Sequence, residues 1–195
     1  KKAVLWFYIL MLTACGGGSS APIIEPVVSN QTPVPVSEEN PISEVKFITQ
    51  TIDGRLVDRP YLIRYPENTS ETKYPVVFFF HDAGENGDLW LSNNTDVTDL
   101  IDDGKFIGIF PDGYLNEWNI SSDANVDDVD DVDFVSLIVN GLDPAGLFDV
   151  DKVFGVGTSN GAGLVNKIAK ETTLFKAIAP LVGQQTEQNG VIVSP

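Results

Sequence analysis

An α/β fold, with an open and mostly parallel sheet and helices on both faces, is predicted by three observations. Short apolar runs at residues 76–80, 106–110, 153–156 and 175–181 alternate with longer segments of helical character. The first three runs are apolar at consecutive positions, which suits strands covered on both faces. The junctions carry breakers: Gly104, Pro111-Asp112-Gly113 and the glycines around residue 159.

The elements follow in order. Residues 45–51 alternate apolar and polar, Asp53-Gly54 supplies a hairpin turn, and residues 59–65 read as the returning strand, ended by Pro66. After the Phe-rich run 76–80 comes a polar segment of helical potential, residues 89–103, stopped by Gly104. Residues 106–110 form the next strand. Asp131 is then expected to cap a helix whose apolar positions are Val132, Val135, Ile138, Val139 and Leu142. Strand 153–156, helix 162–171 and strand 175–181 complete the alternation, and residues 191–195 look like the approach to one more strand.

The 195 residues suffice for one domain with a core. Twelve basic residues stand against 28 acidic ones, a net charge of −16 at pH 7. That field repels nucleic acid, which is excluded as a partner, and keeps the protein dispersed. A single cysteine excludes an internal disulfide framework.

That cysteine has an informative place. Lys1 and Lys2 precede an apolar run, residues 3–12, of roughly ten residues, too short to cross a bilayer core of about 30 Å as a helix. Leu12-Thr13-Ala14-Cys15 and the Gly/Ser stretch after it resemble a bacterial lipoprotein signal. The resemblance implies a signal peptide over residues 1–14, lipidation at Cys15, and a membrane-anchored protein of the cell envelope, at the outer membrane or outside the cell. Residues 15–43, rich in Pro, Ser and Gly, cannot bury a core and read as a tether. The domain proper is placed at 44–195.

Gly157-Thr158-Ser159-Asn160-Gly161 matches G-x-S-x-G. The pentapeptide alone is a weak signal, but here it lies between a buried strand and an apolar-periodic helix, the placement a nucleophile elbow requires. Ser159 is the candidate nucleophile. Gly157 and Gly161 remove Cβ atoms that would collide with strand and helix, and the helix N-terminus favours developing negative charge. Directly after the Phe-rich strand stands His81-Asp82-Ala83-Gly84-Glu85-Asn86-Gly87. In this architecture that loop lies beside the nucleophile, so the oxyanion donors are placed at the N–H groups of Ala83 and Asn160. His81, with Gly84, is assigned to supporting the loop rather than to general-base work. Trp118 either lines an acyl pocket or fills space beneath its loop.

Many short blocks, in order and spacing, resemble the α/β-hydrolase esterases that include polyhydroxybutyrate depolymerases, feruloyl esterases and acetylxylan esterases. They are Arg59-Pro60-Tyr61, His81 with its glycine-bearing loop, residues 106–113, Trp118-Asn119, residues 130–134 and residues 153–161. The resemblance implies an α/β-hydrolase-type fold and a serine esterase that works through an acyl-enzyme without cofactor. One position departs: the family has glycine after the histidine, and here Asp82 stands, able to stiffen the loop or to repel an oxyanion.

Asp123, Asn125 and Asp127 match the first three positions of a calcium loop, but Asp128 and Phe134 break it, so no metal is expected. The triad order is Ser, acid, His. No histidine follows Ser159, and Glu187 is the one distant acidic candidate. The sequence is therefore expected to be the N-terminal part of a hydrolase and inactive by itself. A non-catalytic surface lipoprotein binding a ligand in the same cleft, or a peptidase, are the other readings.

Overall fold

The computed structural model describes residues 42–67, 73–121 and 129–183, all within one compact unit, Glu39–Pro195. Residues 1–41, and with them the signal peptide, Cys15 and nearly all of the tether, lie outside the described residues. So do Asp123, Asn125, Asp127, Asp128, Glu187 and the run 191–195.

Among the described residues, six strands form one sheet. In chain order they are β1 (Ser43–Ile52), β2 (Arg55–Arg64), β3 (Tyr74–Phe80), β4 (Ile107–Pro111), β5 (Phe148–Thr158) and β6 (Ala177–Leu181). Their spatial order is β1-β2-β4-β3-β5-β6. β1 and β2 make the antiparallel hairpin around Asp53-Gly54, and β2 joins β4 antiparallel. β4, β3, β5 and β6 run parallel. With helices on both faces, this is the α/β-hydrolase type of sheet.

Side-chain alternation along β3 builds the two cores. Val76, Phe78 and Phe80 face one way and meet Val132, Phe134, Val135 and Ile138 of α3 (Asp131–Asn140), with Leu164, Val165 and Ile168 of α4 (Asn160–Glu171). Val77 and Phe79 face the other way. They pack with Trp90 and Leu91 of α1 (Gly87–Asn93), Ile101 of α2 (Thr95–Asp102) and Phe110. A strand apolar on both faces thus sits between two helical layers.

Several sequence expectations are corrected. The helix expected at 89–103 is two helices broken at Asn94. Its side-chain amide donates to Trp90 O at 2.6 Å, and its backbone (φ −122°, ψ 63°) is not helical. Short polar side chains compete in this way with the helical ladder. The cap of α3 is Asp130, whose carboxylate accepts the Asp133 N–H at 2.8 Å. Asp131, expected as the cap, is fully buried and does other work. β5 begins five residues earlier than its apolar stretch suggests, at the buried Phe148, and the exposed Val150, Asp151 and Lys152 interrupt the apolar pattern between Phe148 and Val153.

The order of the strands positions the site. From β3 the chain crosses to β4 on one side, and from β5 it moves on to β6 on the other. Neighbouring parallel strands whose connections leave in opposite directions open a crevice at their carboxyl ends, where α/β sheets bind ligands. Phe80 pairs with Gly157, so the loops after β3 and β5 meet there.

Candidate active site

The elbow after β5 is strained and sterically tight. Ser159 has φ 52° and ψ −108°, a conformation that costs a non-glycine residue of order 1–3 kcal/mol. Its N–H donates to Leu181 O on β6 at 2.9 Å, and its carbonyl accepts the Gly163 N–H at 3.2 Å. The flanking glycines are required by proximity. A Cβ at Gly157 would stand 2.1 Å from Gly161 O, and one at Gly161 would stand 2.3 Å from Phe80 O and 2.7 Å from His81 O. The second contact shows how closely α4 presses on the end of β3.

The loop after β3 is held instead by polar bonds. His81 is fully buried; its Nε2 accepts the Gly113 N–H at 2.9 Å, which leaves the proton on Nδ1 to be donated to Asp82 O at 2.7 Å. Burial pushes the imidazole pKa below its ordinary value, partly offset by the bond to Asp82 O. Both ring nitrogens are committed, so His81 has none to offer the Ser159 hydroxyl. Asp82 O also accepts the Glu85 N–H at 3.1 Å, and the Gly84 N–H donates to Asn116 O at 2.8 Å. Gly84 has φ +83°, which favours glycine there.

The segment between β4 and α3 buttresses both loops. The Trp118 indole lies against His81, ring centres 4.8 Å apart, and its Nε1–H donates to His81 O at 3.0 Å. Asn160 clamps the Trp118 backbone from the other side: its Oδ1 accepts the Trp118 N–H at 2.7 Å and its Nδ2 donates to Trp118 O at 3.1 Å. Trp118 therefore ties the loop after β3 to the elbow. It also borders a cavity of about 470 Å³, whose lining includes Tyr114, Leu115, Ile120 and Val129 but neither Ser159 nor Ala83.

Beneath that segment lies a buried ion pair that the pattern of the sequence does not reveal. Arg59 donates from Nη2 to Asp131 Oδ1 at 2.6 Å and to Asp112 O at 3.1 Å, and from Nη1 to Gln50 Oε1 at 2.9 Å. Its guanidinium stacks on Phe134 at 3.8 Å. Asp131 Oδ2 accepts the Asn119 N–H at 2.6 Å. Lys167 of α4 donates to Asn119 O at 3.2 Å and to Ser121 O at 2.8 Å. The signals available in sequence were the blocks holding Arg59 and Asp131, which mark the residues without revealing their partnership.

The N–H groups of Ala83 and Asn160 converge. Both point at a single oxygen, Asp82 Oδ1, from 2.6 Å and 3.4 Å. The Asp82 pKa is held below its ordinary value, first by the Ser159 side chain and then by the Ala83 and Asn160 N–H groups, against an opposing effect of burial. The structure thus brings together Ser159, Ala83, Asn160, His81, Gly84, Gly157, Gly161 and Trp118. Among the described residues no group of three or more His, Cys, Asp or Glu could hold a metal ion.

No protein-family description matches the chain, nor does any curated protein. Solved structures do resemble it. One is the fluorophosphonate-binding serine hydrolase F of Staphylococcus aureus, at 16% identity and TM-score 0.56, covering 75% of this chain and 60% of that one. Another is an acetyl xylan esterase from Aspergillus awamori, at 22% identity and TM-score 0.53, covering 69% and 50%. A thermostable esterase matches at 20% identity and TM-score 0.52, covering 74% and 42%. At such identities the likeness establishes the fold. The chain spans 60% or less of the length of these structures.

Proposed function

We propose that the protein is a serine carboxylic-ester hydrolase. The observation that carries this reading is the convergence of the Ala83 and Asn160 N–H groups on one point at the elbow that carries Ser159. Two preorganised donors aimed at one position are what an oxyanion requires. The Ser159 Oγ attacks the ester carbonyl carbon, the carbonyl oxygen takes its negative charge between the two N–H groups, and the C–O bond to the alcohol breaks. Water then cleaves the acyl-enzyme. No cofactor enters. The base that takes the serine proton is a group other than His81, whose nitrogens are both engaged.

Within this reading the substrates are polyhydroxyalkanoate, feruloyl or acetyl esters, and the chain acts in the cell envelope, anchored by lipid at Cys15. The esterase named among the similar structures supports the first point, and the Leu12–Cys15 pattern supports the second. One observation favours the non-catalytic alternative, a lipoprotein that only binds in this cleft: a carboxylate already stands where the oxyanion would form.

The test is hydrolysis of p-nitrophenyl acetate and butyrate by the full-length gene product. Ser159→Ala is expected to lower kcat by about 10⁴-fold or more. Equal activity of the alanine variant, or an inert native enzyme and an inert Asp82→Gly variant, rejects the hydrolase reading.

A further inference from the structure

We propose that Asp82 is a tethered plug: its carboxylate occupies the oxyanion position of the Ser159 site and keeps the serine unreactive until the side chain swings away. The inference deepens the hydrolase reading and rests on it.

The geometry is specific. Asp82 Oδ1 takes the Ala83 N–H at 2.6 Å and the Asn160 N–H at 3.4 Å, the two donors that a substrate oxygen needs. The Ser159 side chain is the first cause that holds the Asp82 pKa below its ordinary value, so the serine and the carboxylate interact. A carboxylate oxygen imitates the oxyanion in charge and in its capacity to accept two N–H donors. It is held by charge-assisted bonds, which are the stronger kind. A neutral ester carbonyl competes poorly for a site in which one donor already holds an anion at 2.6 Å and the second points at the same oxygen from 3.4 Å.

The plug has a way out. Asp82 is partly exposed, and Ala83 and Gly84 beside it are exposed. Its backbone, by contrast, is fixed: Asp82 O accepts from His81 Nδ1 and from the Glu85 N–H, and Gly84 is tied to Asn116. A rotation of the side chain alone therefore clears the site while the backbone donors stay in place. Nothing else in the loop has to unfold. The device acts as a filter: substrates whose remaining contacts are strong enough to displace Asp82 react, and small esters with few contacts are turned away.

The experiment compares the full-length native protein with Asp82→Gly, Asp82→Asn, Ser159→Ala and the Asp82→Gly/Ser159→Ala double variant. Two readouts are used: the rate of p-nitrophenyl acetate hydrolysis and the rate of covalent labelling by a small fluorophosphonate. Asp82→Gly is expected to raise both rates by about 10²-fold, the scale on which oxyanion donors act. Asp82→Asn, which keeps an acceptor but loses the charge, is expected to fall between. The double variant is expected to be inert. A measurement independent of turnover accompanies these: the ¹³C-carboxyl titration of Asp82 in the native protein is expected to lie below the ordinary aspartate range and to rise in Ser159→Ala.

If Asp82→Gly is no faster than the native protein while Ser159-dependent activity is present in both, the plug is refuted and the hydrolase reading stands. If Ser159 reacts in neither, both are refuted. An Asp82 carboxyl that titrates as a free aspartate in both proteins also refutes the plug, whatever the rates.

Discussion

The two loops that meet at the carboxyl ends of β3 and β5 are built on opposite plans. The elbow, Gly157–Gly161, is held by steric closeness: strand, turn and helix touch wherever a Cβ is missing, and the serine backbone is strained into place. The loop from His81 to Gly87 is held by hydrogen bonds. The His81 imidazole and carbonyl and the Gly84 and Gly87 N–H groups each meet a partner on the 112–119 segment, which rests in turn on the Arg59–Asp131 pair. The electrostatics differ too. The elbow starts a helix whose N-terminus favours negative charge, and the loop puts a permanent negative charge there. Each loop gives one N–H group to the point where the Asp82 carboxylate stands, and the polar loop also supplies that carboxylate.

The largest effect is expected from the buttress of the polar loop. Arg59 and Asp131 are 2% and 0% exposed, so removing one partner strands the other charge in the core. Arg59→Met is expected to destabilise the fold by about 3–5 kcal/mol in urea unfolding, and the double change Arg59→Met/Asp131→Leu to recover part of that loss. A single variant as stable as the native protein would remove the pair from the account. Next comes the elbow. Gly161→Ala drives a methyl into Phe80 O and is expected to cost about 1–3 kcal/mol and to lose Ser159-dependent hydrolysis. If it retains full activity, the close contact of α4 with β3 is not what sets the serine.

A smaller effect tests the environment of His81. Its folded pKa lies below its unfolded value, so the unfolded chain binds the extra proton first as pH falls. Its contribution is complete above the unfolded value, about 6.5, and is lost as pH drops below it toward the folded value. As the only histidine in the sequence, it is expected to give a slope of at most about 1.4 kcal/mol per pH unit just below pH 6.5. The unfolding free energy, measured from pH 7.5 to 5.5, should show that slope in the native protein and lose it in His81→Gln. The same slope in both would assign it elsewhere. Smallest is Trp118→Phe, which deletes the bond to His81 O and keeps the ring. It is expected to cost about 0.5–1.5 kcal/mol of stability in the same assay, and no measurable loss would mean that bond is idle.

What the sequence made legible follows the same division. The elbow is a local pattern: its glycines, serine and flanking strand and helix are contiguous, so spacing alone locates them. The parallel core strands were legible for the same reason, as runs of apolar residues. The polar network was not. Arg59 and Asp131 are 72 residues apart and neither has a periodic partner, so only the fold joins them. The shift of the α3 cap to Asp130 has a similar origin, since two adjacent aspartates are equivalent as caps until one is drawn into the core. Asp82 was legible as a departure from pattern, but its effect depends on where its carboxylate turns, which only the geometry decides.

The central claim is that Ser159 is a nucleophile beside a usable oxyanion site. It is tested most directly by treating the Asp82→Gly protein with a small fluorophosphonate and mapping the product by mass spectrometry. The serine oxygen bonds to phosphorus, fluoride leaves, and the adduct is expected on the peptide that contains Ser159, at a rate above that of the native protein. An unlabelled Ser159 peptide, or label on another residue with Ser159 untouched, would contradict the account.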